Sequence, residues 1–140
     1  WRNRLKAVQT KGAVGFHATC FVCGPENTGG IQLQMKQMGD ETVGDLDIDP
    51  RFQGYDGVAH GGIVASVLDA AMVRCLHGLF GKNPITCRLE TRYYHETPTS
   101  QRLIVIARLT SRRGIMCWAE GELFSEDVRC AGARGVFKLV

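Results

Sequence analysis

Apolar and polar residues alternate along most of the chain, which is the pattern of half-buried β-strands. The segment IQLQMKQM places Ile31, Leu33 and Met35 on one face, and TVGDLDI follows after the turn GDE. Residues 31–48 therefore predict a β-hairpin. Further alternating segments between residues 85 and 140 predict four more strands.

A helical period replaces the alternation over residues 61–79. Apolar positions cover well over half of the helix circumference there, so we expect other structure to enclose this helix. The predicted order is β-β-α-β-β-β-β, an α+β fold with a long antiparallel sheet around one helix. Turn-forming residues in CFVCGPENTGG predict an irregular N-terminal segment over residues 1–30, before a single domain at 31–140. The edges of such a sheet favour pairing with a second copy of the chain.

Asp69 is the one carboxylate in the predicted helix, and an ionised carboxylate among apolar residues is costly unless it is paired or serves chemistry. Gly61 and Gly62 open the helix. Their N–H groups, in the first turn, can hold a developing oxyanion; alternatively, the two glycines simply permit a tight turn into the helix. Asp69 lies roughly 12 Å along the helix from Gly61. It can therefore act on a group held at the glycine pair of an antiparallel second copy. The alternative is a structural acid satisfied by Ser66, His77 or an arginine.

The first strand after the helix, ITCRLETRYY, has two predicted faces. One carries Ile85, Cys87, Leu89, Thr91 and Tyr93, and the more polar face carries Thr86, Arg88, Glu90, Arg92 and Tyr94. Thr86 suits either the positioning of a water molecule or an ordinary surface role. His60, directly before the helix, suits either the orientation of a ligand or a structural role.

Composition and charge narrow the classes of partner. The 140 residues carry a net charge of +3 and no basic run interleaved with aromatic residues, which does not support nucleic-acid binding. No uninterrupted apolar run approaches the roughly 20 residues that span a bilayer, so we expect no transmembrane helix. Arg112 and Arg113 in SRRG suit either phosphate binding or a solvated turn.

Cysteine usage and the N-terminus bear on location. Four of the six cysteines (Cys75, Cys87, Cys117 and Cys130) lie inside periodic segments, which predicts small buried side chains rather than a disulfide framework. The polar and basic N-terminal stretch lacks a signal-peptide pattern. We therefore expect a reducing, cytoplasmic setting.

The segment HATCFVC contains three potential zinc ligands, His17, Cys20 and Cys23. A closed structural zinc site takes four protein ligands, and no second Cys-x-x-Cys pair follows in the sequence. We therefore expect no bound metal. A zinc-stapled structural module is the alternative, which metal analysis of the purified protein tests.

Two segments, QGYDGVAHGGIVASVLDAAM and CFVCGPENTGGIQLQM, resemble those of hotdog-fold acyl-CoA thioesterases of the phenylacetyl-CoA thioesterase-like group. The resemblance covers residues 20–140. It implies a hotdog fold, hydrolysis of an acyl-CoA thioester to a free acid and coenzyme A without a cofactor, and a homodimer or a dimer of dimers. The cysteine-containing segment is typical of one branch of the group more than of one activity.

The resemblance also implies roles for individual residues of the motif. Asp69 matches the catalytic acid, which acts as a base or a nucleophile. Gly61 matches the N–H that polarises the thioester carbonyl from the partner subunit, with Gly62 and His60 beside it. Thr86 matches a position that helps to hold the attacking water.

Substrate-binding residues are matched less closely. Arg112 and Arg113, together with Arg88, are the candidates for the phosphates of coenzyme A. In some relatives an asparagine or glutamine before the histidine assists, and the residues near that position here are Gln53 and Gly54, of which Gln53 has the matching side chain. The same residues would serve an acyl-ligand-binding protein without turnover, because a fold does not fix a function. A hotdog dehydratase is a further alternative, but its histidine–acid motif is absent.

Overall fold

The computed structural model describes residues 17–140, so the first part of the predicted irregular segment, residues 1–16, lies outside the described residues. The strands are β1 (Gln34–Met38), β2 (Glu41–Asp47), β3 (Pro84–Tyr93), β4 (Arg102–Arg113), β5 (Met116–Ser125) and β6 (Val128–Leu139). A short 3₁₀ helix, Pro50–Phe52, and the α-helix α1, Gly61–Phe80, lie between β2 and β3. This is the predicted order, β-β-α-β-β-β-β.

The six strands form one antiparallel sheet in the order β1-β2-β4-β5-β6-β3. β2 pairs with β4 rather than with β3, because α1 carries the chain across the sheet to its far edge. β3 is therefore an edge strand that pairs with β6 alone among the described strands. A long antiparallel sheet around a helix is the predicted hotdog fold.

Both ends of α1 are capped by residues close to it in sequence. At the N-terminus, Nδ1 of His60 accepts a hydrogen bond from the Gly62 N–H at 2.9 Å, which satisfies one first-turn donor. At the C-terminus, Gly81 has a φ of +63° and donates its N–H to the His77 carbonyl at 2.8 Å. Glycine adopts this left-handed conformation without a side-chain clash. With these caps α1 ends at Phe80, one residue beyond the predicted range of 61–79.

The sheet encloses the apolar face of α1. Nine residues of the helix are buried: Val64, Val67, Leu68, Ala70, Ala71, Met72, Val73, Cys75 and Leu76. The helix contacts all six strands, and its buried side chains belong to the main hydrophobic core. By length and apolar content alone α1 would suffice to cross a bilayer. Its apolar character is explained by the core that it forms.

The first strand starts later than the alternating pattern predicts. β1 begins at Gln34 because the N–H groups of Ile31 and Leu33 donate to the carbonyls of Phe21 and Val22, at 2.7 and 2.9 Å. Their side chains remain buried, so the apolar face continues beyond the strand. The residues before β1 are thereby attached to the core.

The side chains of β3 do not alternate as predicted, because a β-bulge at Cys87 interrupts the pairing with β6. Thr86 pairs with Phe137, and Leu89 pairs with Gly135, which is two residues earlier on the same buried face of β6. Thr86 and Leu89 therefore share the side of β3 that faces α1. The predicted position of Thr86 on the opposite, polar face is wrong, since one extra residue reverses the alternation before it.

The six cysteines are free thiols. Cys75, Cys117 and Cys130 are buried, as predicted. Cys87 is exposed, because it lies at the bulge on the edge strand, and its predicted burial is wrong.

Leu76 of α1 is fully buried, and Leu79, one turn further on, is half-buried. We expect Leu76→Ala to lower the free energy of unfolding by about 2–5 kcal/mol, because the truncation leaves a cavity in the core. Leu79→Ala removes the same atoms from a less enclosed position and should lower it by less. Denaturant unfolding of both variants measures the difference. A loss in Leu79→Ala as large as that in Leu76→Ala would contradict the enclosure of α1.

Candidate active site

A cavity of about 340 Å³ lies between α1, β3 and the loop before β1. Asp69 of α1 and Thr86 of β3 are two of its polar side chains. The apolar part of the wall consists of Phe21, Val22, Ala65, Ala70, Val73 and Leu89. A mostly apolar cavity with a few polar groups is the usual form of a small-ligand site. The structure therefore brings the predicted acid and the predicted water-holding threonine into one wall.

Among the described residues, the side chain that holds Asp69 is a hydroxyl and not a cation. Thr86 Oγ1 donates a hydrogen bond to Asp69 Oδ1 at 2.8 Å. Within residues 17–140 the ion pairs involve other carboxylates, and none includes Asp69. Burial raises the pKa of Asp69 above its ordinary value, and the Thr86 hydrogen bond, which favours the ionised form, lowers it by less. This carboxylate is a better proton acceptor than one in water.

The partners that a structural role of Asp69 would use make other contacts. Ser66 Oγ donates to the Gly62 carbonyl at 2.8 Å. His77 Nδ1 lies 2.9 Å from the Lys82 carbonyl oxygen. The contacts therefore do not support the interpretation of Asp69 as an acid paired within its own helix.

The start of α1 forms the second part of the candidate site. Since His60 Nδ1 accepts from the Gly62 N–H, the neutral ring carries its proton on Nε2. The cap thus uses the Gly62 N–H, while Gly61 supplies the first N–H of the helix with no side chain to obstruct a ligand. Tyr93 Oη donates to the Gly61 carbonyl oxygen at 2.6 Å. One strand, β3, therefore contacts α1 both at Gly61 and at Asp69.

The remaining predicted residues do not join this cavity within one chain. Gln53 Oε1 accepts from the Gly57 N–H at 3.2 Å and so closes its own loop. The glycine pair and His60 lie about 12 Å along α1 from Asp69. Asp69 and Thr86 are thus one half of the predicted site, and the helix start is the other.

The predicted phosphate-binding arginines lie elsewhere. The Arg112 guanidinium stacks on Phe80, 4.3 Å from the ring centre, and Arg113 follows it at the end of β4. Since Phe80 is the last residue of α1, both arginines lie at the opposite end of the helix from the glycine pair. Arg88 lies on the face of β3 directed away from α1, 3.7 Å from the carboxylate of Glu90.

Sequence reasoning missed two parts of the site. The alternation predicts the correct face of β3 for Tyr93 but gives this residue no role, although a tyrosine on a helix-facing strand can reach a backbone carbonyl. The loop that carries Phe21 and Val22 forms one side of the cavity. Its turn-forming sequence predicts an irregular segment, but not where that segment packs.

A sequence model of the thioesterase superfamily matches residues 56–131, which is more than half of the chain. The chain belongs to the thioesterase superfamily. The match includes all of α1, with Gly61 and Asp69, and ends within β6. The predicted membership of the thioesterase superfamily is thereby confirmed.

An uncharacterized protein of Schizosaccharomyces pombe is similar to this thioesterase-superfamily chain. The two are 31% identical over 93 residues, which are 60% of the chain and 51% of the yeast protein. The chain thus spans about half the length of this curated relative.

Solved structures share the fold at low sequence identity. A thioesterase superfamily protein superposes with a TM-score of 0.79 at 24% identity, covering 98% of this chain and 72% of the other. A hypothetical thioesterase of Streptococcus pneumoniae, solved with coenzyme A, superposes with a TM-score of 0.72 at 15% identity, covering 77% of this chain and 88% of the other. A phenylacetic acid degradation-related protein of Ralstonia eutropha superposes with a TM-score of 0.73 at 20% identity, covering 83% of this chain and 90% of the other. These similarities confirm the hotdog fold.

The Thr86 hydrogen bond makes a prediction about the Asp69 carboxyl. Thr86→Val keeps the shape of the side chain but removes the hydroxyl that stabilises the ionised carboxylate, so we expect the pKa of Asp69 to rise further. A ¹³C NMR titration of the Asp69 carboxyl carbon measures it. Thr91→Val, on the same face of β3, is the matched control and should leave this pKa unchanged. An unchanged or lower pKa in Thr86→Val would show that the hydroxyl does not act on the carboxylate.

Proposed function

We propose that the chain hydrolyses an acyl-CoA thioester to a free acid and coenzyme A. The Asp69 carboxylate carries this proposal, because it lines an apolar cavity, accepts a hydrogen bond from Thr86 and has a pKa raised by burial. A base of this kind takes a proton from water as the water attacks the thioester carbonyl carbon. Thr86, bonded to the same carboxylate, helps to position that water.

Two chains complete each proposed site. The thioester carbonyl oxygen lies at Gly61 of the partner subunit, where the helix N-terminus supplies an N–H and a partial positive charge for the developing oxyanion. The rise of roughly 12 Å between Gly61 and Asp69 prevents one chain from supplying both groups to one carbonyl. Two antiparallel copies of α1 bring the Asp69 of each chain to the glycine pair of the other.

The edge strand supports this pairing of copies. β3 is ten residues long, and Ile85 and Tyr93 each expose 53% of their surface. A long edge strand with exposed apolar side chains is a template for pairing with another strand. A two-fold axis between two β3 strands would extend the sheet across both copies and set their α1 helices antiparallel.

Arg112 and Arg113 are proposed to bind the phosphates of coenzyme A. They lie at the C-terminal end of α1, which extends roughly 16 Å beyond the helix start of the other chain when Asp69 faces the partner's glycine pair. Guanidinium groups suit phosphate oxygens in both charge and geometry. The position of Arg88, on the face directed away from α1, does not support such a role in the same cavity.

The mechanism predicts the effect of Asp69→Asn. The variant keeps the side-chain shape and an oxygen for Thr86 but removes the base, so we expect the kcat on the best acyl-CoA to fall by about 10²–10⁴-fold. Thiol release across a panel of aromatic and short-, medium- and long-chain acyl-CoA esters measures it. Asp47→Asn, at an exposed position in β2, is the matched control and should keep the wild-type rate.

Full hydrolytic rates in Asp69→Asn would contradict the mechanism. Tight binding of an acyl-CoA by the wild-type chain, with no thiol release from any member of the panel, would favour the acyl-ligand-binding alternative over hydrolysis.

The shared site predicts that two inactive variants restore each other. Gly61→Pro removes the first N–H of α1, and proline is well tolerated at this first helical position. The preceding residue, His60, already has an extended backbone (φ −58°, ψ 136°) that suits a following proline. Mixed with Asp69→Asn after dissociation and reassociation, Gly61→Pro should give about one quarter of the wild-type activity, because half of the dimers carry one intact site.

Each variant alone, carried through the same procedure, is the control and should remain inactive. No recovered activity in a mixture shown by native mass spectrometry to contain heterodimers would place both groups of a site in one chain, and would overturn the shared arrangement.

A further inference from the structure

A second group of reactive side chains lies beside the cavity and has no role in the proposed hydrolysis. Ligand atoms of His17, Cys20 and Cys23 all lie within 4.8 Å of one another. In a tetrahedral zinc site, bonds of about 2.3 Å to sulfur and about 2.0 Å to nitrogen place neighbouring ligand atoms roughly 3.5–3.8 Å apart. A contraction of roughly 1 Å would let the three donors share one ion.

The backbone presents the two thiols in a tight turn. The Val22 N–H donates a hydrogen bond to Cys20 Sγ at 3.4 Å. A Cβ atom at Gly24 would lie 2.4 Å from the Cys20 nitrogen and 2.6 Å from the Ala18 carbonyl oxygen. Only glycine permits the chain to fold back so closely after Cys23. The backbone bonds from the residues before β1 hold this turn against the core.

The charges around the cluster suit a metal ligand set. His17, Cys20 and Cys23 offer one imidazole nitrogen and two sulfurs as donors. Cysteine binds a metal as the thiolate, so metal binding at Cys20 and Cys23 would release the thiol protons. Two thiolates and a neutral imidazole cancel the charge of a divalent cation, which is compatible with the nearby Arg74.

We propose that His17, Cys20 and Cys23 bind a divalent metal ion of the zinc class, with the fourth position taken by water or an exogenous ligand. Thiolate and imidazole donors select such ions over magnesium or calcium. Among the described residues the group has three members, and residues 1–16 contain no His, Cys, Asp or Glu. The expectation of no metal rested on the missing fourth ligand, which an open three-ligand site does not need.

The position of the cluster gives the ion a structural consequence. His17 and Cys20 line the same cavity as Asp69. A bound ion would fix the loop that forms this wall, because the ion would join His17 to the thiols of Cys20 and Cys23. Part of the free energy of metal binding would then stabilise the folded loop and, with it, the shape of the cavity.

Titration of the 140-residue chain with Co²⁺ under reducing conditions tests the proposal. Tetrahedral Co²⁺ bound by thiolates absorbs strongly in the visible and near-ultraviolet, and we expect this spectrum to saturate at one ion per chain and to disappear on addition of Zn²⁺. Cys20→Ser and Cys23→Ser should abolish the thiolate bands, and His17→Asn should weaken binding. Cys87→Ser, at an exposed cysteine outside the cluster, is the matched control and should leave the spectrum unchanged.

Failure of the reduced wild-type chain to bind Co²⁺ or Zn²⁺ overturns the proposal without any variant. Binding that survives in both Cys20→Ser and Cys23→Ser overturns it as well. Circular dichroism of each variant shows that the fold is intact where a spectrum is lost. Since none of these measurements records hydrolysis, their failure is separate from a failure of the proposed thioesterase activity.

Discussion

The contact between β3 and α1 determines where every other part of the candidate site lies. Thr86 and Tyr93, on the same face of β3, donate hydrogen bonds to the Asp69 carboxylate and the Gly61 carbonyl. α1 is in turn held by its burial against all six strands. The edge strand is therefore joined to the helix at the two residues that the proposed reaction uses. Because no other described strand pairs with the outer edge of β3, a second copy that pairs there would also adjust both contacts.

The fold can be predicted well from the sequence, because the helical period of one segment and the strand alternation of the others are both strong and occupy separate parts of the chain. A segment of nineteen residues with a helical period, followed by alternating segments, allows few arrangements other than a sheet around α1. Asp69 and the glycine pair can be found by the same reasoning, since a carboxylate in an apolar helix and side-chain-free first-turn residues are visible without tertiary contacts. The helix rise alone also separates them by about 12 Å and so indicates a second chain.

The errors come from contacts that local pattern does not record. The bulge at Cys87 leaves the alternation of β3 intact in the sequence but reverses the faces before it, so the alternation predicts Thr86 on the polar face of β3, whereas Thr86 lies on the face towards α1. Ile31 and Leu33 alternate like strand residues, yet their N–H groups bond to Phe21 and Val22 rather than to β2. The same distant pairing brings the cysteine-containing loop to the cavity wall, which no spacing within that loop predicts.

The surroundings of Asp69 place stability and chemistry in opposition. Its pKa in the folded chain is raised by burial, whereas the unfolded chain titrates near the ordinary value of about 3.9. The stability that protonated Asp69 contributes is therefore fully present below that ordinary value and is lost as pH rises through the folded-state pKa. At neutral pH the ionised carboxylate weakens the fold, and the Thr86 hydroxyl offsets only part of this effect. The desolvation that lowers the stability of the fold also makes the Asp69 carboxylate a stronger base. A residue at position 69 that increased stability would therefore remove the base.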